Sequence, residues 1–252
     1  MGMSDQKTKI TIEARCLGVE YMVVDFSHQD IYGEIEERLK QLNGPIHVLV
    51  NNVGMMFNIP EYFIKYPKDF NLKLINTNIV SITMMCQIVM PIMMEQKRRI
   101  KTNDRGIIIN IGSAAGLTEF PFFSTYSASK AYITYFSKIL SYEYEQDGII
   151  IQTVTPNQVD TKLAANVQVP NLSTTPQSFV SYALKTVANE RFTNGHPKHK
   201  LINNLSKFIG DLLGNHLYMN FKFRIIQNEM NLIKNANRKT KLISIDDDKI
   251  FD

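Results

Sequence analysis

Residues 106–154 read GIIINIGSAAGLTEFPFFSTYSASKAYITYFSKILSYEYEQDGIIIQTV. The segment has three parts. Gly106 to Gly112 (GIIINIG) is a continuous apolar run rich in β-branched residues, the pattern of a strand buried on both faces. From Tyr126 to Tyr144 the spacing becomes helical, with Ser129, Ile133, Phe136 and Leu140 on one stripe. Ile149 to Val154 (IIIQTV) is a second buried-type strand, closed by Thr155-Pro156. Two such strands joined by an amphipathic helix form a strand–helix–strand unit, and that connection makes the strands parallel.

The same alternation runs upstream. Val19 to Phe26 (VEYMVVDF) reads as a strand, and Ile31 to Leu42 as a helix with Ile31, Ile35, Leu39 and Leu42 on one face. Asn43-Gly44-Pro45 stops that helix. Ile46 to Val50 (IHVLV) is the next strand, ending in Asn51-Asn52-Val53-Gly54, and a helix is expected through Asn71 to Met94. The whole predicts an α/β fold, a doubly wound parallel sheet covered on both faces. No internal repeat or low-complexity tract occurs.

Past Thr161 the pattern loosens. Val167 to Gln177, with Pro170 and Pro176, reads as loop, and Phe179 to Val187 as helix. Phe208, Leu212, Met219, Phe223, Ile226, Met230 and Ile233 recur at helical intervals. That stripe suits a greasy pocket, a membrane surface, or a core or dimer contact. Residues 1–235 are expected to form a single domain, with 167–233 as its substrate side and C-terminal extension, and 236–252 a polar tail.

Composition narrows the function classes. With 252 residues, 44% hydrophobic and 21% charged, the chain is of globular type, neither disordered nor multispan. The net charge of +4 is small, and its basic excess gathers at Lys222, Arg224, Lys234, Arg238, Lys239 and Lys241. A solvated face explains that cluster, as would attraction to an anionic membrane or a phosphate-bearing substrate. Basic residues are not interleaved with aromatic ones, so no nucleic-acid partner is expected. Cys16 and Cys86 have no metal or redox spacing, and two cysteines make no disulfide framework, which favours a reducing location. Asn171-Leu172-Ser173 and Asn204-Leu205-Ser206 match the glycosylation pattern, which is too short to carry weight. The first residues lack a signal-peptide core, and no transmembrane helix is expected.

The chemistry-bearing residues fall where predicted strands end, the place where open α/β sheets bind ligands. Asn51-Asn52-Val53-Gly54 follows one strand, Ser113 the next, and Pro156 to Thr161 (PNQVDT) the last. Tyr126 and Lys130 are one helical turn apart, on one face. Alone, that pair would suit a Tyr packed over a Lys stem. Together with Ser113, Asn78 and NNVG, in this order and at these spacings, the set resembles the short-chain dehydrogenase/reductase family. LVNNVG, PEYF, YSASKAYITYFSKIL and the long C-terminal extension look most like its 17-beta-hydroxysteroid dehydrogenase and very-long-chain 3-oxoacyl-CoA reductase branch.

The resemblance implies a Rossmann-like fold and hydride transfer with NADP(H). Hydride addition to a ketone builds negative charge on oxygen, so a proton donor and an oxyanion partner are required. Tyr126 would be the acid–base group, Lys130 would lower its pKa and bind the nicotinamide ribose, Ser113 would hold the carbonyl, and Asn78 a relay water. Asn76, two residues away, is the competing register. On the cofactor side the resemblance implies Asp25 at the adenine, Asn52, Val53 and Gly54 near its ribose, and Pro156, Val159 and Thr161 at the nicotinamide and phosphates. Asn157 stands where the family often has Gly.

The chain has no TGxxxGxG turn, the family's pyrophosphate cradle. By resemblance it enters after the first strands, as an N-terminally truncated, incomplete domain. The implied substrate is a long-chain 3-oxoacyl-CoA or a 17-oxosteroid, and the implied place is the endoplasmic reticulum, with membrane-surface association and a homodimer as expected partners. The rival expectation is a catalytically inactive form that serves as an interaction or dimerisation partner.

Overall fold

The computed structural model describes residues 20–57, 59–100, 105–161 and 173–247. Cys16, Val19, most of the expected loop over 167–177, Asn171 and the last five residues lie outside them.

The parallel sheet has the order β1-β2-β3-β4, built from Val48–Asn51, Gly106–Ile111, Ile149–Val154 and Phe192–Thr193. The central strands β2 and β3 pair in full, Gly106 with Ile149 through Ile111 with Val154. Their apolar runs are buried because helices cover both faces. On one face lie α3 (Ser81–Ile100) and α4 (Ser124–Glu143), which bury Ile82, Cys86, Val89, Met93 and Ile133 against Ile108, Ile149 and Ile151. On the other, the region after α5 (Pro176–Leu184) meets Gln152, whose amide donates to Thr186 O at 2.9 Å and Glu190 O at 2.8 Å. At the β1 edge no described residue covers this second face, and Val48 and Val50 are exposed.

Three expectations change. VEYMVVDF forms no strand over its described residues. An apolar run needs a neighbour for its backbone N–H and C=O groups, and among the described residues β1 pairs only with β2. Met22, Val24 and Phe26 instead pack on α1 (Tyr32–Lys40) and α3. Second, the helix expected over 71–94 is α2 (Lys68–Ile75) and α3 joined through a π turn, Asn76–Val80. The continuous run Lys68–Arg99 is long and apolar enough to cross a membrane, with a mean hydropathy of 1.5. Its Leu74, Asn78, Ile82, Val89 and Met93 are buried in the domain, as in a core helix.

Third, the C-terminal stripe is not one surface. Gly214, with φ of 75°, separates α6 (Pro197–Leu213) from α7 (Asn215–Asp247). Phe208 and Leu212 on α6 are exposed, whereas Ile226 and Met230 on α7 are buried. The helix continues to Asp247, into the polar segment expected past 235.

Candidate active site

Ser113 directly follows β2 and caps the short turn Ala114–Gly116, its Oγ accepting from Ala115 N–H at 3.2 Å. The turn rests on α4. A Cβ on Gly116 would lie 2.6 Å from Ala131 N and Lys130 O, so only glycine permits this approach. Ser127 on α4 closes the contact by donating to Ala115 O. Serine and the helix carrying Tyr126 and Lys130 are thereby locked together.

Tyr126 and Lys130 are both buried. Burial raises the Tyr126 phenol above its ordinary pKa, and hydrogen bonding with Ser113 opposes the rise. Lys130 Nζ lies 5.9 Å from the Tyr126 ring centroid and donates to Ile111 O at 3.0 Å. Burial brings its pKa down to about 8. The expected lowering of Tyr126 by Lys130 is not seen: burial raises the phenol, only Ser113 opposes the rise, and the ammonium is turned toward a carbonyl.

Asn78 sits inside the π turn, a helix irregularity common at functional sites. Its side chain grips the loop after β1: Oδ1 accepts from Met55 N–H at 2.7 Å, and Nδ2 donates to Met55 O at 2.9 Å and Ser129 Oγ at 3.0 Å. Asn76, the rival register, faces elsewhere, donating to Ser27 O and accepting from Gln29. A Cβ on Gly54 would lie 3.6 Å from Lys130 Nζ and 3.7 Å from Asn78 Oδ1, so this backbone turns directly onto both. Asn52 and Val53 are exposed beside it.

Pro156 O accepts from Ala114 N–H at 2.8 Å, joining the segment after β3 to the serine turn. Val159 bridges to Thr174, and Thr161 is exposed. Asn157 does not adopt positive φ. Its amide donates to Asn203 Oδ1 at 2.6 Å and His199 O at 3.3 Å, so asparagine here ties the loop to α6. Asp25 stands apart from the Tyr126 group. It is exposed and accepts from Ser27 N–H at 2.9 Å, which lowers its pKa and matches a turn-forming Asp.

Around Tyr126 the wall is apolar: Phe57, Leu74, Phe122 and Phe123 from the loops and α2, Ile226 and Met230 from α7. Phe122 has φ of 66°, an uncommon strained conformation for an aromatic residue. Its carbonyl accepts from Tyr66 OH at 3.2 Å and Glu61 N–H at 3.3 Å, and its ring packs on Phe223 at 4.8 Å. Lys234 on α7 pairs with Glu61, strapping the helix across this wall. A surface groove between α1 and α3, lined by Leu39, Met84, Ile88 and Ile92, contains none of the site residues.

Several contributors escaped sequence reasoning. Ser129 was placed only on the core stripe, yet it holds Asn78. Asn110 was part of an apolar strand, yet it accepts from Asn51 at 2.8 Å and donates to Ser137 at 2.8 Å, setting β1 against β2 and α4. A polar residue at a strand or helix position facing the core was the available signal. His199, wholly buried, carried none.

Residues 4–171 match the sequence profile described as short chain dehydrogenase. The very-long-chain 3-oxoacyl-CoA reductase of Bos taurus is 38% identical over 205 residues, covering 81% of this chain and 61% of that protein. The chain thus spans about three-fifths of that relative's length. A 3-ketoacyl-(acyl-carrier-protein) reductase from Brucella melitensis, solved with NADH, shares the fold with a TM-score of 0.59 at 17% identity, covering 67% of this chain and 73% of that one. A short-chain dehydrogenase from Sphingobium yanoikuyae, solved with NADPH, is 26% identical with a TM-score of 0.54, covering 64% of this chain and 61% of that one.

Proposed function

From the short-chain dehydrogenase family, to which this chain belongs, we propose that it carries the catalytic half of an NADP(H)-dependent reductase of long-chain 3-oxoacyl-CoA thioesters. The observation that carries this is the convergence of half-buried Ser113 with buried Tyr126 and Lys130 beyond β2, faced by the Gly54 backbone. Lys130 donates to Ile111 O, its one acceptor among the described residues, and an ammonium has three donors, so its chemistry fits a ribose diol beside Gly54. The fit extends to the nicotinamide ribose end only, because no glycine-rich turn for the pyrophosphate occurs in the sequence. When bound, the dinucleotide supplies the hydride.

The chain's own residues do the rest. Ser113 donates to the substrate carbonyl and stabilises charge as it grows on oxygen. Burial keeps Tyr126 protonated at neutral pH, the state required of a proton donor in reduction. Phe57, Phe122, Phe123, Ile226 and Met230 exclude water and present an apolar wall to the chain flanking the ketone. An acyl chain or a 17-oxosteroid satisfies that wall. The bovine relative's name supports the acyl-CoA. The endoplasmic reticulum, a membrane surface and a homodimer belong to the same proposal.

The second reading, a catalytically inactive association partner, rests on the β1 edge, uncovered among the described residues, with exposed Val48 and Val50. Fluorescence titration of the purified chain with NADPH separates the two. Saturable binding supports the reductase. Absence of binding with either reduced dinucleotide, together with stable self-association, overturns it in favour of the partner role.

A further inference from the structure

We infer that His199 is a positioning residue, a buried clamp that shapes the 156–161 loop for the dinucleotide and, through that loop, sets the Ser113 turn. The inference rests on the reductase proposal only where it concerns the dinucleotide. His199 lies in the first turn of α6 and is wholly buried. Both ring nitrogens engage the loop. Nδ1 accepts from the backbone N–H of Asn157 at 3.3 Å. Nε2 lies 3.2 Å from Gln158 O and 3.1 Å from Thr174 Oγ1. An N–H donor at Nδ1 requires a lone pair there, so the proton resides on Nε2, which donates toward Gln158 O. One neutral tautomer satisfies both sides.

Thr174 and Asn157 brace the same loop beside His199. Thr174 adds two backbone bonds, to Gln158 O at 3.1 Å and from Asp160 N–H at 2.9 Å, and Asn157 adds its side-chain links to α6. At the other end Pro156 O receives Ala114 N–H, beside Ser113. Displacement of residues 157–158 therefore reaches the serine turn through a single proline. Protonation of His199 would set an N–H at Nδ1 against the Asn157 N–H and open the clamp. The surroundings oppose that charge on balance: burial lowers the His199 pKa, His196 and Lys198 add to the effect, and backbone hydrogen bonds with Gln158 and Asn194 partly offset it. His196 is itself engaged with Ser178 Oγ and Lys198 N–H, and Lys198 Nζ with Ser173 O. Phe179 closes the remaining side, its ring centroid 5.6 Å from the imidazole.

Two conservative variants test the clamp by opposite halves. In H199N the amide oxygen replaces Nδ1 and the Nε2 donor is lost. In H199Q the amide nitrogen replaces Nε2 and the Nδ1 acceptor is lost. Amide hydrogen exchange is measured at single-residue resolution in both variants and in the wild-type chain. H199Q is expected to accelerate exchange at Asn157 about tenfold, the factor equivalent to about 1.4 kcal/mol, while H199N leaves Asn157 near wild type. NADPH titrations run in parallel, with dissociation constants expected to rise about tenfold in H199Q and to return toward wild type in H199N. Equal exchange at Asn157 in both variants, or equal affinities when wild type binds, overturns the clamp. A wild-type chain that binds no dinucleotide overturns the reductase proposal, and the exchange pattern still decides the clamp. If one variant fails to fold, exchange at Asn157 in the other decides.

Discussion

Gly116→Ala is the perturbation on which the site's construction depends most directly. Its Cβ would fall 2.6 Å from Ala131 N and Lys130 O, and closer still to Lys130 C, all backbone atoms of α4 that no rotamer change can move aside. Ordinary contact begins near 3.4 Å and Lys130 C lies at 2.4 Å, so the turn carrying Ser113 must retreat from α4 by about 1.0 Å. Gly116 does not adopt positive φ, so the cost is steric rather than conformational. Overpacking of this kind costs about 1–3 kcal/mol. At about 2–4 °C per kcal/mol for a chain of this size, the melting temperature should fall by about 2–12 °C. A shift near 1 Å between Ser113 and Tyr126 is also enough to reduce turnover about 100-fold. The assay pairs thermal unfolding with turnover, and Gly44→Ala serves as control because its Cβ would meet nothing within 4 Å. A G116A chain that melts and turns over like wild type would refute the claim that this glycine sets the serine against the tyrosine.

Other predictions follow from charge and proton placement. Lys130 has a folded pKa of about 8 against 10.5 unfolded, so the unfolded chain binds the proton more tightly. Stability should therefore rise as pH increases from about 8 to 10.5, by about 3 kcal/mol, and Lys130→Met should remove that rise in urea titrations. The His199 pKa is lowered from 6.5, so stability should fall as pH drops through 6.5, and H199N should flatten that limb of a melting-temperature profile. Thr175 accepts from Ser178 N–H at 3.3 Å as the cap of α5, and Thr175→Ala should cost about 1 kcal/mol in urea denaturation.

How far the fold could be read from sequence depended on where partners lay. Strand β3 was legible residue for residue and β2 to within one residue, because a run such as IIIQTV is stable only when buried between neighbours. VEYMVVDF has the same composition, yet pairing partners are a property of the tertiary structure, and here the segment packs on helices instead. Ser113, Tyr126, Lys130, Asn78 and Gly54, singled out by their order and spacing, lie together in the structure. The electrostatics of the site were not legible, because desolvation depends on burial, and Tyr126 is buried in a cluster with Ile226 of α7, far along the chain. The π turn under Asn78 has no compositional signature, and a lone histidine at position 199 among Lys198 and Lys200 resembles a solvated face. Gly214 was the one local sign that the C-terminal stripe would divide, and its positive φ is what glycine permits.

The central claim, that Tyr126 is the proton donor of a reductase, meets its most direct test in single-turnover oxidation of NADPH by a long-chain 3-oxoacyl-CoA. Wild-type chain is compared with Tyr126→Phe after both are shown to bind the dinucleotide equally. The phenyl ring preserves the apolar packing with Phe123, so folding should be little changed. Wild type should oxidise NADPH, and Tyr126→Phe should lose that oxidation. Full oxidation by Tyr126→Phe would contradict the claim.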